Sequence, residues 1–162
     1  MSISIILRYI KLSIYIVIFY PITLFASDNL KNAFDIAKSG AEFQSERINI
    51  ASENIANSNT TPSRSSGDPY RRKLIFAKNK YNRNSKTYMV KTRKIANDKA
   101  QFLLKYDPLN PAANQTGYVQ MPNIKIEIEK SDALEASRSY EANISVMELT
   151  KQMINKTLDT IR

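Results

Sequence analysis

Residues 28–57 read DNLKNAFDIAKSGAEFQSERINIASENIAN, and their spacing decides the fold. The stretch holds no proline and one glycine, Gly40. Apolar or small residues recur at Leu30, Phe34, Ala37, Ala41, Ile48, Ala51 and Ile55; with Gln44 included, the steps from Phe34 alternate between three and four. That is the heptad seam of an amphipathic helix, about 45 Å long at roughly 1.5 Å per residue. Asp28 is the expected N-cap, and Asp35 lies toward the end where the helix dipole favours acids.

The C-terminal stretch repeats the design. Ala136, Tyr140, Asn143, Met147, Thr150, Ile154, Thr157 and Ile161 recur at the same alternating steps, and no Pro or Gly lies between Asn123 and Arg162. Ser131 or Asp132 is the expected N-cap, with Glu135 placed for a capping box on Asp132. A helix over 131–162 measures about 48 Å, so the two helices are expected to match and pair along their seams. Gln44, Asn143, Thr150 and Thr157 put polar groups at core positions, which specifies register and weakens the core. Two readings follow: a small helical domain that packs on its own middle, or, preferred, helices that finish their core against neighbouring subunits.

Five of the six prolines fall between residues 62 and 122, so the middle is not helical. Thr87, Tyr88 and Val90 within Lys86–Lys91, the run Gln101–Tyr106, and the alternation of Ile124, Ile126 and Ile128 with Lys125, Glu127 and Glu129 predict short strands. Ser58–Asp68 reads as loop. The expected fold is mainly α with a small irregular β middle: the Asn-rich N-terminal helical segment over 28–61, the middle over 62–130, and the C-terminal helix over 131–162.

Ahead of all this, Arg8 and Lys11 precede an uncharged run from Leu12 to Phe25, closed by Ala26 and Ser27. This is the layout of a secretory leader over 1–26, with Pro21 as a helix break before cleavage after Ala26. The run is shorter than the roughly 20 residues that span a bilayer, although Ile3–Ile10 extends it if the helix is an uncleaved anchor. A start assigned too far upstream is the third account.

Chemistry is constrained by what is missing. The 162 residues include no Cys, His or Trp and only three Gly. Zinc sites of the usual ligands, His-dependent triads and glycine-rich phosphate loops are therefore excluded. Glu127 and Glu129 share one expected strand face, but a glycosidase pair needs a cleft and a set separation. No enzyme activity, metal or cofactor is expected. The net charge is +9, while residues 64–105 alone carry 13 basic and two acidic side chains. Such a block suits a polyanion such as nucleic acid, anionic lipid or an acidic wall polymer. A chain rich in Ile, Lys and Asn also acquires lysines by compositional drift. A secreted or periplasmic polyanion-binding module using residues 64–105 is thus the alternative function.

Five motifs in order carry a resemblance. They are Asn54-Ile55-Ala56-Asn57-Ser58-Asn59-Thr60-Thr61; Pro69-Tyr70-Arg71-Arg72; Tyr106-Asp107-Pro108; Gly117-Tyr118-Val119-Gln120-Met121-Pro122-Asn123; and Leu134-Glu135-Ala136-Ser137-Arg138-Ser139-Tyr140-Glu141-Ala142-Asn143. Over Asn29–Arg162 the chain resembles the flagellar basal-body rod proteins, and the later motifs resemble those of the proximal rod. The resemblance implies a non-enzymatic tube subunit whose terminal helices line an inner tube, whose middle faces outward, and which transmits torque in the periplasmic portion of the basal body. Implied partners are copies of itself, the rod proteins FlgB, FlgF and FlgG, and the adapter FliE, with peptidoglycan nearby. Implied assembly contacts are Asn54, Ile55, Ala56, Asn57, Asn59, Thr60, Tyr70, Arg71, Arg72, Tyr118, Met121, Pro122, Glu135, Arg138, Tyr140, Glu141 and Asn143. Locally, Asn54, Asn57 and Asn59 are expected to close the helix end, with Asn tolerating the left-handed conformation. Arg71 and Arg72 offer planar forks for a neighbour's carboxylates. The hydrophobic leader departs from the family, whose members usually begin near the position of Asn29 and leave through the flagellar export apparatus.

Overall fold

The computed structural model describes the backbone of residues 3–64 and 67–161 and the side chains of residues 29–64 and 67–160. Its elements are α1 (Ile3–Ala56), β1 (Lys73–Asn82), β2 (Thr87–Asn97), β3 (Leu103–Tyr106), β4 (Tyr118–Met121) and α2 (Ile126–Ile161). The architecture is the expected one, two long terminal helices around a β middle. The leader reading over 1–26 concerns side chains outside those described. Among the described residues, no helix is long and apolar enough to cross a membrane.

Both helix starts differ from expectation. α1 runs through Asp28, which is therefore no N-cap, and through Pro21, which is no break. A proline removes one backbone hydrogen bond, and the helix continues through it. At 54 residues α1 is also longer than the 36-residue α2, so the two do not match in length. α2 starts at Ile126 rather than at Ser131 or Asp132, so Ile126 and Ile128 of the expected strand are helical and Ile124 lies just ahead of the helix. The Lys125 carbonyl accepts the N–H groups of Ile128 (3.0 Å) and Glu129 (3.2 Å), closing the first turn. Glu127 and Glu129 sit where the dipole favours acids. Three alternating isoleucines were too short a pattern to specify a strand. Asp132 lies inside the helix, so Glu135 makes no capping box; its carboxylate stands 3.9 Å from Arg47.

The middle is more regular than expected. β1 and β2 pair antiparallel from Lys73↔Asn97 to Asn82↔Thr87, with one bulge between Phe76 and Ala77. β3 and β4 form a second hairpin, Leu103↔Met121 to Tyr106↔Tyr118. Gly117 turns this hairpin at φ +78°, and a Cβ there would meet Tyr106 Cε2 at 2.8 Å. Asn114 Oδ1 shapes the same loop, accepting the N–H groups of Thr116 and Tyr118, each at 2.9 Å.

The β1–β2 ribbon lies edge-on against α1. The buried Ser39 hydroxyl accepts the Val90 N–H at 3.2 Å and donates to the Ile36 carbonyl at 2.8 Å. The Thr92 hydroxyl donates to the Glu46 carboxylate, and Lys91 stands 4.0 Å from Glu42. α1 thus covers the open edge of β2. The edge of β1 is met by α1 at Lys73; beyond it no described segment pairs with β1, and Lys78 and Lys80 discourage pairing with another strand.

α1 and α2 pack antiparallel along the expected seams, Ala37, Ala41 and Ala51 facing Ala136 and Thr150, all buried. Gly40 marks the tightest point, where a Cβ would meet Asn143 Oδ1 at 2.8 Å. Alanine dominates the buried apolar residues, with Val119 the largest of them almost wholly enclosed. At about 25 cal/mol per Å² of buried apolar surface, small side chains stabilise the pair weakly.

Candidate functional site

A polar node at the C-terminal end of α1 joins three separated segments. Asn54 is 1% exposed. Its amide Nδ2 donates to the Lys73 carbonyl (3.0 Å) and to Glu129 Oε2 (2.9 Å). Its Oδ1 accepts the Lys73 N–H (2.9 Å) and the Tyr70 hydroxyl (3.0 Å). The side chain has two donors and two acceptor positions, and all four are used. Arg72 Nε donates to Glu129 Oε1 at 2.6 Å, and its second nitrogen stands 3.9 Å from Asp132. Lys73 pairs with Glu53.

Glu129 is 2% exposed, and burying a carboxylate costs on the order of several kcal/mol unless it is paired and hydrogen-bonded. Here both of its oxygens have partners. The Tyr70 hydroxyl is pushed up to about 12, first by burial and then by the negative charges of Glu53 and Glu129. At neutral pH it is therefore a dependable donor to Asn54. The end of α1, the start of β1 and the first turn of α2 are held at one angle by these bonds.

The predicted contacts therefore separate into two groups. Asn54, Tyr70 and Arg72 are engaged within the chain; the carboxylates that Arg72 meets are its own Glu129 and Asp132 rather than a neighbour's. Arg71 stacks on its own Phe102, with the guanidinium 4.1 Å from the ring centroid. Pro122 is buried and Met121 half-buried, while Tyr118 sets its ring edge-on to Tyr106 at 5.3 Å. Ile55 is half-buried; Ala56, Asn59, Thr60, Arg138, Tyr140 and Glu141 face outward. Asn143 packs against Gly40 and donates to the Ser139 carbonyl at 2.8 Å.

The helix end closes differently from expectation. Among the described residues Lys86 is the one non-glycine with positive φ, so Asn57 does not adopt the left-handed conformation. Asn57 instead donates both its N–H (3.1 Å) and its side-chain Nδ2 (2.9 Å) to the Glu53 carbonyl. Ser58 satisfies the Ile55 carbonyl through its N–H and hydroxyl, and Thr60 does the same for Asn57. Asn54 leaves the helix end to the others and reaches across to β1 and α2.

Glu129 and Lys73 were missed by sequence reasoning. Glu129 lies seven residues before Ala136, so one more heptad backward would have put it on the seam. Read as a strand, it shared a face with Glu127; on the helix Glu127 is exposed and Glu129 buried.

Beside the seam, α2 shows a second apolar stripe that no described residue covers: Val146, Leu149 and Met153 are 45%, 55% and 55% exposed. On the β3–β4 hairpin Leu103, Leu104, Tyr106 and Leu109 are also exposed. Among the described residues no group of three or more His, Cys, Asp or Glu is placed to hold a metal.

Long paired terminal helices, a buried polar clamp and exposed apolar stripes fit a structural subunit. The family model described as flagella basal body rod protein matches residues 34–62, and that described as flagellar basal body rod FlgEFG protein C-terminal matches residues 115–160. The flagellar basal-body rod protein FlgC of Agrobacterium fabrum is 42% identical over 135 residues, covering 83% of this chain and 97% of its own length. FlgC of Salmonella typhimurium is 40% identical over 129 residues (80% and 96%), and that of Bacillus subtilis 35% over 143 (79% and 95%). The chain belongs to the FlgC family of flagellar basal-body rod proteins and is a structural subunit of that rod.

Proposed function

We propose that this subunit builds the proximal, periplasmic part of the rod and transmits torque through its terminal helices without catalysing a reaction. The open stripe of Val146, Leu149 and Met153, beside a seam filled mainly by alanine, carries this reading. A helix pair with so little apolar burial of its own gains stability when neighbouring helices cover the stripe. Copies of the chain and the rod proteins FlgB, FlgF and FlgG are the neighbours, with FliE at the base. Arg138, Tyr140, Glu141, Asn59 and Thr60 face them directly. Asn54, Tyr70 and Arg72 act indirectly, by setting the angle between α1, β1 and α2. For residues 1–26 the three accounts are a secretory signal cleaved after Ala26, an uncleaved anchor and a start assigned too far upstream, and intact mass of the native protein decides among them.

The chain has no cysteine, so single cysteines report cleanly. Val146→Cys, Leu149→Cys or Met153→Cys in assembled basal bodies should cross-link to neighbouring rod subunits. Normal rods that yield no cross-link from any of the three would sink the stripe as an interface.

A further inference from the structure

We propose that the outer face of the β3–β4 hairpin docks on the C-terminal helix of an adjacent rod subunit, against an open apolar stripe of the kind that α2 itself carries. This rests on the reading of that stripe as a subunit interface, and it adds the element that covers it.

Side chains alternate across a strand, and the buried Val119 marks the inner face of the hairpin. On the outer face Leu104 stands opposite Gln120, and Tyr106 opposite Tyr118. All four are exposed, and none is charged. Leu109, in the loop that joins the strands, is 94% exposed. A single exposed leucine needs no explanation, whereas two leucines and two tyrosines on one short hairpin do. The loop is ordered without help from Leu109. The Asp107 N–H donates to the Gly117 carbonyl at 2.9 Å, the Ala113 N–H to the Asn110 carbonyl at 2.9 Å, and the Ala112 N–H to Asn110 Oδ1 at 3.0 Å. Tyr106 and Tyr118 fix each other edge-on. Anchors held in place before contact cost little entropy to bind, and tyrosine is a frequent anchor of protein interfaces.

The chemistry of the face selects the partner. It offers nothing to a polyanion, and covering it strips water from no ion, so its match is another uncharged apolar surface. The chain itself shows such a surface in Val146, Leu149 and Met153, flanked by the uncharged Ser145 and Gln152. The two cannot meet within one subunit. β4 ends at Met121, five residues before α2 begins, whereas Val146 lies about 30 Å further along that helix. The four-residue strands reach only about 13 Å. Residues 115–160, which hold both β4 and the stripe, match the C-terminal model of rod proteins, so neighbours in the rod present a helix of this type. Four anchors are few against the roughly 20–30 residues per side of a stable complex, so the contact forms in the rod, where several faces are covered together.

The test places the photo-crosslinker p-benzoylphenylalanine at residue 109 of the full chain in assembled basal bodies, and mass spectrometry identifies the linked peptide. The expected product joins residue 109 to the C-terminal helix of an adjacent rod subunit, whether a copy of this chain or another member of the family. Leu104→Ser/Leu109→Ser should leave the monomer's urea midpoint in place, because both side chains are already exposed. Its incorporation into rods should fall about tenfold or more, because covering a leucine is worth at least that factor. Leu109→Met, which keeps an apolar anchor, should incorporate as the parent does. Unchanged incorporation of a folded double-serine variant would overturn the proposal. So would normal rods in which residue 109 links to nothing, or only to wall material, lipid or a segment other than such a helix. The cross-link decides alone if the double variant folds poorly. Cysteines on the stripe that still link to neighbours, in rods where residue 109 finds no helix, refute this contact and leave the stripe as an interface; loss of both refutes both.

Discussion

The two ends of the α1–α2 pair solve the same problem in opposite ways. Near Asn54 and Glu129 the seam is polar, and its groups are satisfied inside the chain: the amide makes four bonds and both carboxylate oxygens are paired. Toward the far end, Val146, Leu149 and Met153 leave apolar surface open. Hydrogen bonds need particular partners at particular distances, so the first end is complete and rigid before assembly. Apolar surface needs only contact, so the second is stabilised by whichever matching helix covers it. A subunit that must present one angle yet join several neighbours benefits from this division.

The largest effect should come from breaking the complete end. Glu129→Ala leaves Arg72 without its closest carboxylate and Asn54 without an acceptor, and should destabilise the monomer by about 3 kcal/mol. Urea unfolding of variant and parent measures it, and a change below about 1 kcal/mol would mean that water replaces the carboxylate readily. Next comes the crossing. Gly40→Leu forces its side chain into Asn143 and should cost about 1–3 kcal/mol by overpacking, with Asn143→Ala restoring part of the loss. Losses that simply add in the double variant would show that the two positions do not share one contact.

The open end should respond in the reverse manner. Val146→Ser/Leu149→Ser/Met153→Ser should shift the monomer's stability by no more than about 0.5 kcal/mol per site, because those side chains are already exposed. Rod incorporation, followed by basal-body purification and by swimming, should fall sharply. A destabilised monomer with normal rods would invert the comparison. The last effect concerns pH dependence and lies outside the physiological range. The Tyr70 hydroxyl ionises at about 12 in the fold against about 10 in the unfolded chain. The neutral form is therefore favoured by folding, and stability should be intact below about 10, decline between about 10 and 12, and then level off. Tyr70→Phe should remove that share of the alkaline decline while losing about 1 kcal/mol at neutral pH with the bond to Asn54. An identical alkaline profile in the variant would assign the decline to other groups.

Helix identity and seam position were legible because a heptad repeat over four or more turns has one structural solution. Ala37, Ala41, Ala51, Ala136 and Thr150 lie on the observed seam as the spacing required. The motif residues Asn54, Tyr70 and Arg72 could be singled out from the sequence, but their partners could not. Asn54 meets Glu129 across 75 positions, and Arg72 meets it across 57, separations that local pattern does not encode. The same limit hid the start of α2. Three alternating isoleucines suit strand or helix, and the choice fell to helix with Glu129 buried between Asn54 and Arg72, while Ile128 stayed 48% exposed. Periodicity, charge and proline placement thus determined the helices, the non-helical middle and its basic character. Only the tertiary structure decided which polar side chains are consumed inside the subunit and which apolar ones remain for neighbours. Both outcomes depend on distances between segments far apart in the chain, and those distances exist only once the helices have crossed.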